Sequence, residues 1–295
     1  MDELLLHYGP MIRYIIAAFF ETILYLAKMS RLCYTCHISF TMKQEGEIPM
    51  NETIRAIRAR KSVRAYEERA IPADVRRALL EAALQAPTAG NMTLYTILDI
   101  TDPAVKQRLS VTCDNQPFIA EAPMVLVFCA DYHRWYELFR RHVDEVRAPA
   151  EGDLLLANAD ALIAAQNVVV AAESFGLGSC YIGDVTENFE IHRELLHLPE
   201  YVVPACMLCI GYPTRQQKDR PKPNRFRVED IVHENSYDEG KASRMEEMLS
   251  GRGEGSADGL HEWVKRFCAR KWNSEFSREM TRSCREIICS WCKNG

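Results

Sequence analysis

The run Met124–Ala130, MVLVFCA, carries no charged side chain. Seven such residues read as a strand buried on both faces, which needs cover on each side of its sheet. A second apolar run, Tyr201–Pro213 (YVVPACMLCIGYP), reads as another core strand ending in a turn, and YTILDI (Tyr95–Ile100) as a third strand. Helical stretches interleave with these strands. From Glu52 the pattern is helical, with Ile54 and Ile57 three apart and arginines between. The stretch 71–87 gives a helix with Asp74 as N-cap, Pro87 as stop, and Val75, Ala78, Leu79, Ala82 and Ala83 on one apolar face. Ala157–Gly176 reads as an alanine-rich helix closed by Gly176, its small residues suited to close packing against another helix.

The chain of 295 residues suffices for one large domain or two small ones. Its formal net charge of -5 argues against nucleic acid as the main partner, because nucleic-acid binders carry a broad basic surface. Eleven cysteines make an odd count, and MDELLLHYGPM has acidic residues where a secretory signal would be basic. Reduced thiols in a cytoplasmic protein are the simpler reading. The apolar run Met11–Ala27 falls short of a bilayer span and contains Arg13 and Glu21; no membrane span is expected, an interfacial helix being the alternative. Residues 1–49 are expected to lie ahead of the natural start. Met50 opens a helical stretch, and Gln44-Glu45-Gly46-Glu47 would be encoded by purine-rich codons resembling a ribosome-binding site. The expected division is an extension over 1–49, a core over 50–236, a polar glycine-rich linker over 237–259 and a helical arm over 260–295. Phe276, Met280, Cys284, Ile287, Ile288 and Trp291 line one face of that arm.

Familiar catalytic signatures are missing. GLGSCYIG has Tyr181 where G-x-G-x-x-G needs its last glycine, and it follows a helix rather than a strand. No nucleophile elbow and no Walker loop occur. Three CxxC pairs do: Cys33/Cys36, Cys206/Cys209 and Cys289/Cys292. Odd spacing in a strand turns Cys206 and Cys209 to opposite faces, so they read as core residues. Cys289 and Cys292 would need two further ligands to hold zinc. No metal is expected, and no side chain is singled out as catalytic; the chemistry would be borrowed from a cofactor.

The basic stretch RARKSVRAY (Arg58–Tyr66) points to which one. Arg60, Lys61 and Arg64 surround the hydroxyl of Ser62, a group suited to phosphate. KDRPKPNRF supplies a second basic group, Lys222 and Arg225, held by prolines. APTAGN (Ala86–Asn91) offers a turn with hydroxyl and amide groups for a polyol, and GLGSCYIGD a glycine-rich backbone for a flat ring. Phosphate, polyol and flat ring together describe flavin mononucleotide, FMN.

RKSVRAY, APTAGN, AAESFGLGSCYIGD and GYP…KPNRF, in that order, resemble the nitroreductase family of FMN-dependent oxidoreductases, over roughly Asn51 to His233. The resemblance implies an α+β fold with a mainly antiparallel sheet flanked by helices. It implies a homodimer that binds FMN at the subunit interface and exchanges its C-terminal segments. By resemblance, Arg60, Lys61, Ser62, Arg64, Lys222 and Arg225 grip the phosphate, Asn91 serves the flavin, and Tyr181, Ile182, Gly183 and Asp184 line its ring. Asn115, Gln116 and Phe118 are candidates for a substrate wall. The implied reaction passes hydride from NADH or NADPH through FMN to a small oxidant such as a nitroaromatic, quinone or flavin. Two other readings stay open: a specialised enzyme of the same fold (reductive dehalogenation or flavin fragmentation), with Tyr132–Arg147 as a lid, and a flavin-binding redox sensor without turnover.

Overall fold

A computed structural model describes residues 50–249 and 257–292; the expectations for residues 1–49, including Cys33/Cys36, fall outside these. In chain order the elements are α1 (Glu52–Ala59), α2 (Ala73–Leu84), β1 (Tyr95–Asp99), α3 (Pro103–Thr112), α4 (Phe118–Glu121), β2 (Met124–Asp131) and α5 (His133–His142). Then come α6 (Glu151–Ser174), β3 (Gly178–Ile182), α7 (Phe189–Leu195), β4 (Val202–Gly211), α8 (Arg215–Asp219) and α9 (Val228–Ile231). The chain closes with α10 (Glu239–Ala242), α11 (Met245–Leu249), α12 (Ala257–Lys271) and α13 (Glu275–Trp291).

The four strands form one sheet in the order β1-β2-β4-β3, every neighbouring pair antiparallel. The apolar runs take the centre: β2 is buried along its whole length, and β4 at all but Ala205. Each face has its own core. On one, α2 and α6 pack over Leu126, Phe128, Leu208 and Ile210; on the other, Leu109, Ile119, Val125, Val127 and Met207 cluster. Cys206 belongs to the first cluster and Cys209 to the second, as strand alternation requires. Burial pushes the Cys206 thiol up to about 12, which keeps it protonated.

α6 is the organising helix. It starts six residues before the alanine-rich stretch and ends in a Schellman motif: Gly176 N–H donates to Glu173 O (3.0 Å) and Leu177 N–H to Ala172 O (2.9 Å). Gly176 there has φ +71°, which a side chain would strain. α6 is long and apolar enough to cross a membrane, but here Ala161, Ala165, Val168 and Ala172 pack on the sheet.

Three details depart from the sequence reading. Pro72, not Asp74, takes the cap position of α2, leaving Asp74 in the first turn, where its charge suits the helix N-terminus. The described part of 237–259 holds two short helices and the start of α12 at Ala257, α10 begun by Asp238 accepting from Gly240 N–H (2.8 Å). On α13 the buried stripe runs Ser283, Ile287, Trp291, and Ile288 is exposed. Ser283 goes inside because its hydroxyl has work there: it donates to Thr186 O (2.7 Å) and accepts from Phe189 N–H (3.1 Å).

Candidate cofactor site

After α1 the chain lies along the sheet rather than crossing it. Ser62 pairs in parallel with Ser179 of β3, Val63 N–H donates to Ser179 O (2.9 Å), and Glu67 N–H to Tyr212 O (2.8 Å). Two glycines permit this approach. A Cβ on Gly178 would stand 2.5 Å from Val63 Cγ2, and one on Gly211 2.8 Å from the Tyr66 ring. Arg60 to Arg64 are thereby fixed at the start of β3.

The second basic segment arrives from the end of β4. Lys61 Nζ donates to Lys218 O (2.7 Å) and to Arg220 O, Arg220 donates to Ser62 O, and Lys222 Nζ donates to Arg58 O (2.6 Å). The two segments, more than 150 residues apart in sequence, converge as expected. Arg220 is the member that the sequence reading passed over, although it stands inside KDRPKPNRF. Arg225 is exposed, and no contact described here carries it to Ser62.

These cations are held by backbone carbonyls, which fix their positions without cancelling their charge. The Lys218 ammonium pairs with a carboxylate, that of the half-buried Glu67 (3.0 Å). Two buried polar atoms beside Ser62 have no partner among the described residues: Nε of Arg220 and Oγ of Ser179. A guanidinium N–H and hydroxyls next to surplus positive charge are what a phosphate would satisfy, so the residues present fit the phosphate of FMN.

β3 leads from this cluster to Tyr181 and Ile182. Tyr181 is half-buried, its hydroxyl 3.3 Å from Gln166 Oε1, and burial pushes its pKa up while Arg60 pulls it down. Ile182 is core, Gly183 is exposed, and Asp184 opens a single turn, Asp184–Thr186. The backbone of this edge strand thus runs from the phosphate end to an open glycine over about 15 Å.

Asn91 is elsewhere. It sits in a turn with three left-handed residues, Gly90 (φ +56°), Asn91 (+57°) and Thr93 (+52°). The buried Asp160 of α6 holds the turn, accepting from Thr88 Oγ1, Ala89 N–H (3.0 Å) and Leu94 N–H (3.2 Å). On the far side Trp135 Nε1 donates to Met92 O (2.6 Å), and Arg134 to Tyr95 O (2.7 Å). Asp160 and Glu173, which lies at the basic cluster, are thirteen residues apart on α6, about 20 Å. One chain therefore does not bring Asn91 to its own basic cluster.

Of the substrate-wall candidates, Phe118 is buried in the second core cluster. Gln116 spends its amide on Cys113 O (2.9 Å), and Asn115 is exposed with φ +51°. A burial preference for Phe118 outweighs the polar neighbours that made CDNQPF look like a wall. Among the described residues no group of His, Cys, Asp or Glu is arranged to hold a metal ion, so Cys289/Cys292 find no further ligands there.

Beyond Asp184 lies a buried carboxylate, Glu187, with Oε1 unpartnered among the described residues. Burial, then Asp184, Asp114 and Glu279, push its pKa up to about 7 from the ordinary 4.5. The folded chain holds this proton more tightly than the unfolded chain. Its contribution is thus full below about 4.5 and is lost as pH rises through about 7. Urea melts at pH 5 and pH 8 are expected to show that loss, about 2–3 kcal/mol, and Glu187→Gln to flatten it. Equal pH slopes in the two proteins would contradict the assignment.

A family model described as "Nitroreductase family" matches residues 57–212. The chain is 34% identical over 191 residues to an FMN reductase (NADPH) of Bacillus subtilis, covering 64% of this chain and 75% of that one. It is 32% identical over 204 residues to an oxygen-insensitive NADPH nitroreductase of Salmonella typhimurium, covering 68% and 82%. A solved NADPH:FMN oxidoreductase from Vibrio harveyi, complexed with NAD+, superposes with a TM-score of 0.68 at 28% identity, over 81% of this chain and 98% of that one.

Proposed function

The chain belongs to the nitroreductase family, and from that premise we propose that it is an FMN-dependent oxidoreductase that passes hydride from NADH or NADPH to a small oxidant such as a nitroaromatic, quinone or flavin. The observation that carries this is the convergence of two basic segments on Ser62, with the Arg220 Nε left over. Arg60, Lys61, Ser62, Arg64, Arg220 and Lys222 would hold the phosphate, and the backbone from Tyr181 to Asp184 would lie along the ring. Bound FMN supplies the hydride relay; the protein's task is position, charge and exclusion of water.

The site is read as shared between two copies. Leu155, Leu156, Leu162 and Ile163 are exposed on the side of α6 away from the sheet, Leu155 at 71%. A helix apolar on all sides wants cover on all sides. The ~20 Å between Asn91 and the basic cluster is bridged if a second copy, packed on this stripe, lends its turn to the first copy's flavin. All cysteines of the described residues are free, which agrees with a cytoplasmic location.

An anaerobic visible spectrum tests the reading. Flavin absorption that bleaches on addition of NADPH or NADH is expected; a colourless chain that FMN does not reconstitute would overturn it. Replacing Arg60 and Arg64 by alanine is expected to weaken FMN binding by about 1.5–3 kcal/mol per lost charge-assisted bond. FMN retained by the double variant through gel filtration as by the wild type would remove the phosphate role.

A further inference from the structure

We propose that Lys61 is a positioning residue for FMN: it fastens the backbone of Arg220, and Arg220, not Lys61, meets the phosphate. This rests on the phosphate reading above and divides the grip described there into two kinds of work. Ser62 is paired with Ser179, so the chain around it is extended and successive side chains leave on opposite sides. Lys61 and Val63 leave on one side. Both line a cavity with Gln217 and Lys218 that none of Arg60, Ser62, Arg64, Ser179 and Arg220 lines. There the Lys61 ammonium turns to the end of α8, donating to Lys218 O (2.7 Å) and to Arg220 O. Carbonyls at a helix C-terminus lack partners and favour a cation. An ammonium has three donors, and these two bonds spend two of them. The return contact is Arg220 Nη2 donating to Ser62 O (2.5 Å). Lys61 and Arg220 thus close a loop between the two basic segments. Lys61 holds backbone in it, while Arg220 keeps a buried Nε with no partner among the described residues.

Pro221 and Pro223 make such a hold necessary. Neither has an N–H, so the chain beyond Arg220 has fewer backbone donors with which to tie itself down. Its carbonyls remain to be grasped, and Lys61 takes one on each side of Asp219. Without Lys61, Arg220 would keep its charge and lose its aim. Riboflavin, with the same ring and no phosphate, is indifferent to that aim.

The full-length protein, freed of flavin by dialysis, is titrated with FMN and with riboflavin by fluorescence quenching, in a double-variant cycle. Lys61→Met and Arg220→Met are each expected to bind FMN about tenfold more weakly than wild type, with riboflavin unchanged. The variant carrying both changes is expected to match Arg220→Met, because Lys61 then has nothing to aim. Added to Arg64→Ala, Lys61→Met should keep its full effect. Losses that multiply to about hundredfold in Lys61→Met/Arg220→Met overturn the inference, since they mark two independent phosphate contacts. An unchanged FMN affinity in Lys61→Met or in Arg220→Met overturns it too, and so do equal losses for FMN and riboflavin, which mark a structural role. In each of those cases a weakened Arg60→Ala/Arg64→Ala variant leaves the phosphate site standing. If that variant also binds FMN like wild type, the phosphate reading itself has failed. Should Lys61→Met not fold, Lys61→Gln, neutral and one bond shorter, takes its place in the cycle under the same outcomes.

Discussion

Asp160→Ala is expected to destabilise the protein by about 3 kcal/mol or more. The carboxylate is buried and takes three donors from one turn, the Thr88 hydroxyl and the N–H groups of Ala89 and Leu94. Removing it leaves buried donors unsatisfied, each costing about 1–3 kcal/mol. The turn it holds contains three residues in left-handed backbone, Gly90, Asn91 and Thr93, which persist only where surrounding contacts over-determine them. Asp160→Asn keeps one acceptor and the volume, and should lose about half as much. Urea denaturation checks the totals, and hydrogen exchange should show early opening at residues 88–94. A change under about 0.5 kcal/mol for Asp160→Ala, the range of an ordinary surface substitution, would mean that the turn holds itself.

Trp291→Ala should cost about 3–5 kcal/mol, the range for emptying a buried aromatic site. Trp291 is 1% exposed, packs edge-on to Tyr201 with ring centroids 5.7 Å apart, and closes a cluster with Leu94, Phe189 and Ile287. It is the last residue of α13, so it pins that helix at its far end. Nearer its start Glu279 accepts from Asn188 N–H (3.1 Å), and Arg282 pairs with Glu190 (2.7 Å). The Arg282 pair is exposed and worth little alone, which leaves Trp291 and Ser283 as the anchors. Brief trypsin treatment should therefore cut the variant at Arg282 and Arg285 well before the wild type. Wild-type stability together with wild-type digestion would refute this docking.

Three of the four strands were legible from their apolar runs, Met124–Asp131 being buried throughout, whereas β3 (Gly178–Ile182) read only as a glycine-rich stretch after a helix. The basic pair of segments was legible as chemistry, since arginines and lysines around a serine have few other uses so densely placed. What hid was partnership over long range. Arg220 was overlooked because nothing local separates it from Arg225; only the path of the chain after β4 turns one inward and the other out. Phe118 looked available because its neighbours are polar, yet its side chain completes a core assembled from α3, β2 and β4. Ser283 is not among the apolar residues that mark the arm's inner face, yet its hydroxyl bonds two backbone groups of the 186–189 segment. In each case the sequence shows the residue's chemistry, and the neighbour that decides its use is many residues away.

The segment that carries Ser62 has a consequence for how this protein behaves in a crowded cell. β3 lies at one edge of the sheet, as β1 does at the other, and an open strand edge is a template for pairing with other chains. Ser62 and Val63 occupy that edge at Ser179, and the charged side chains on either side repel a visiting strand. The same few residues that would hold the phosphate thus also guard against aggregation. Colloidal stability and flavin loading are tied to one stretch of backbone, and a change that loosens its hold on the sheet puts both at risk.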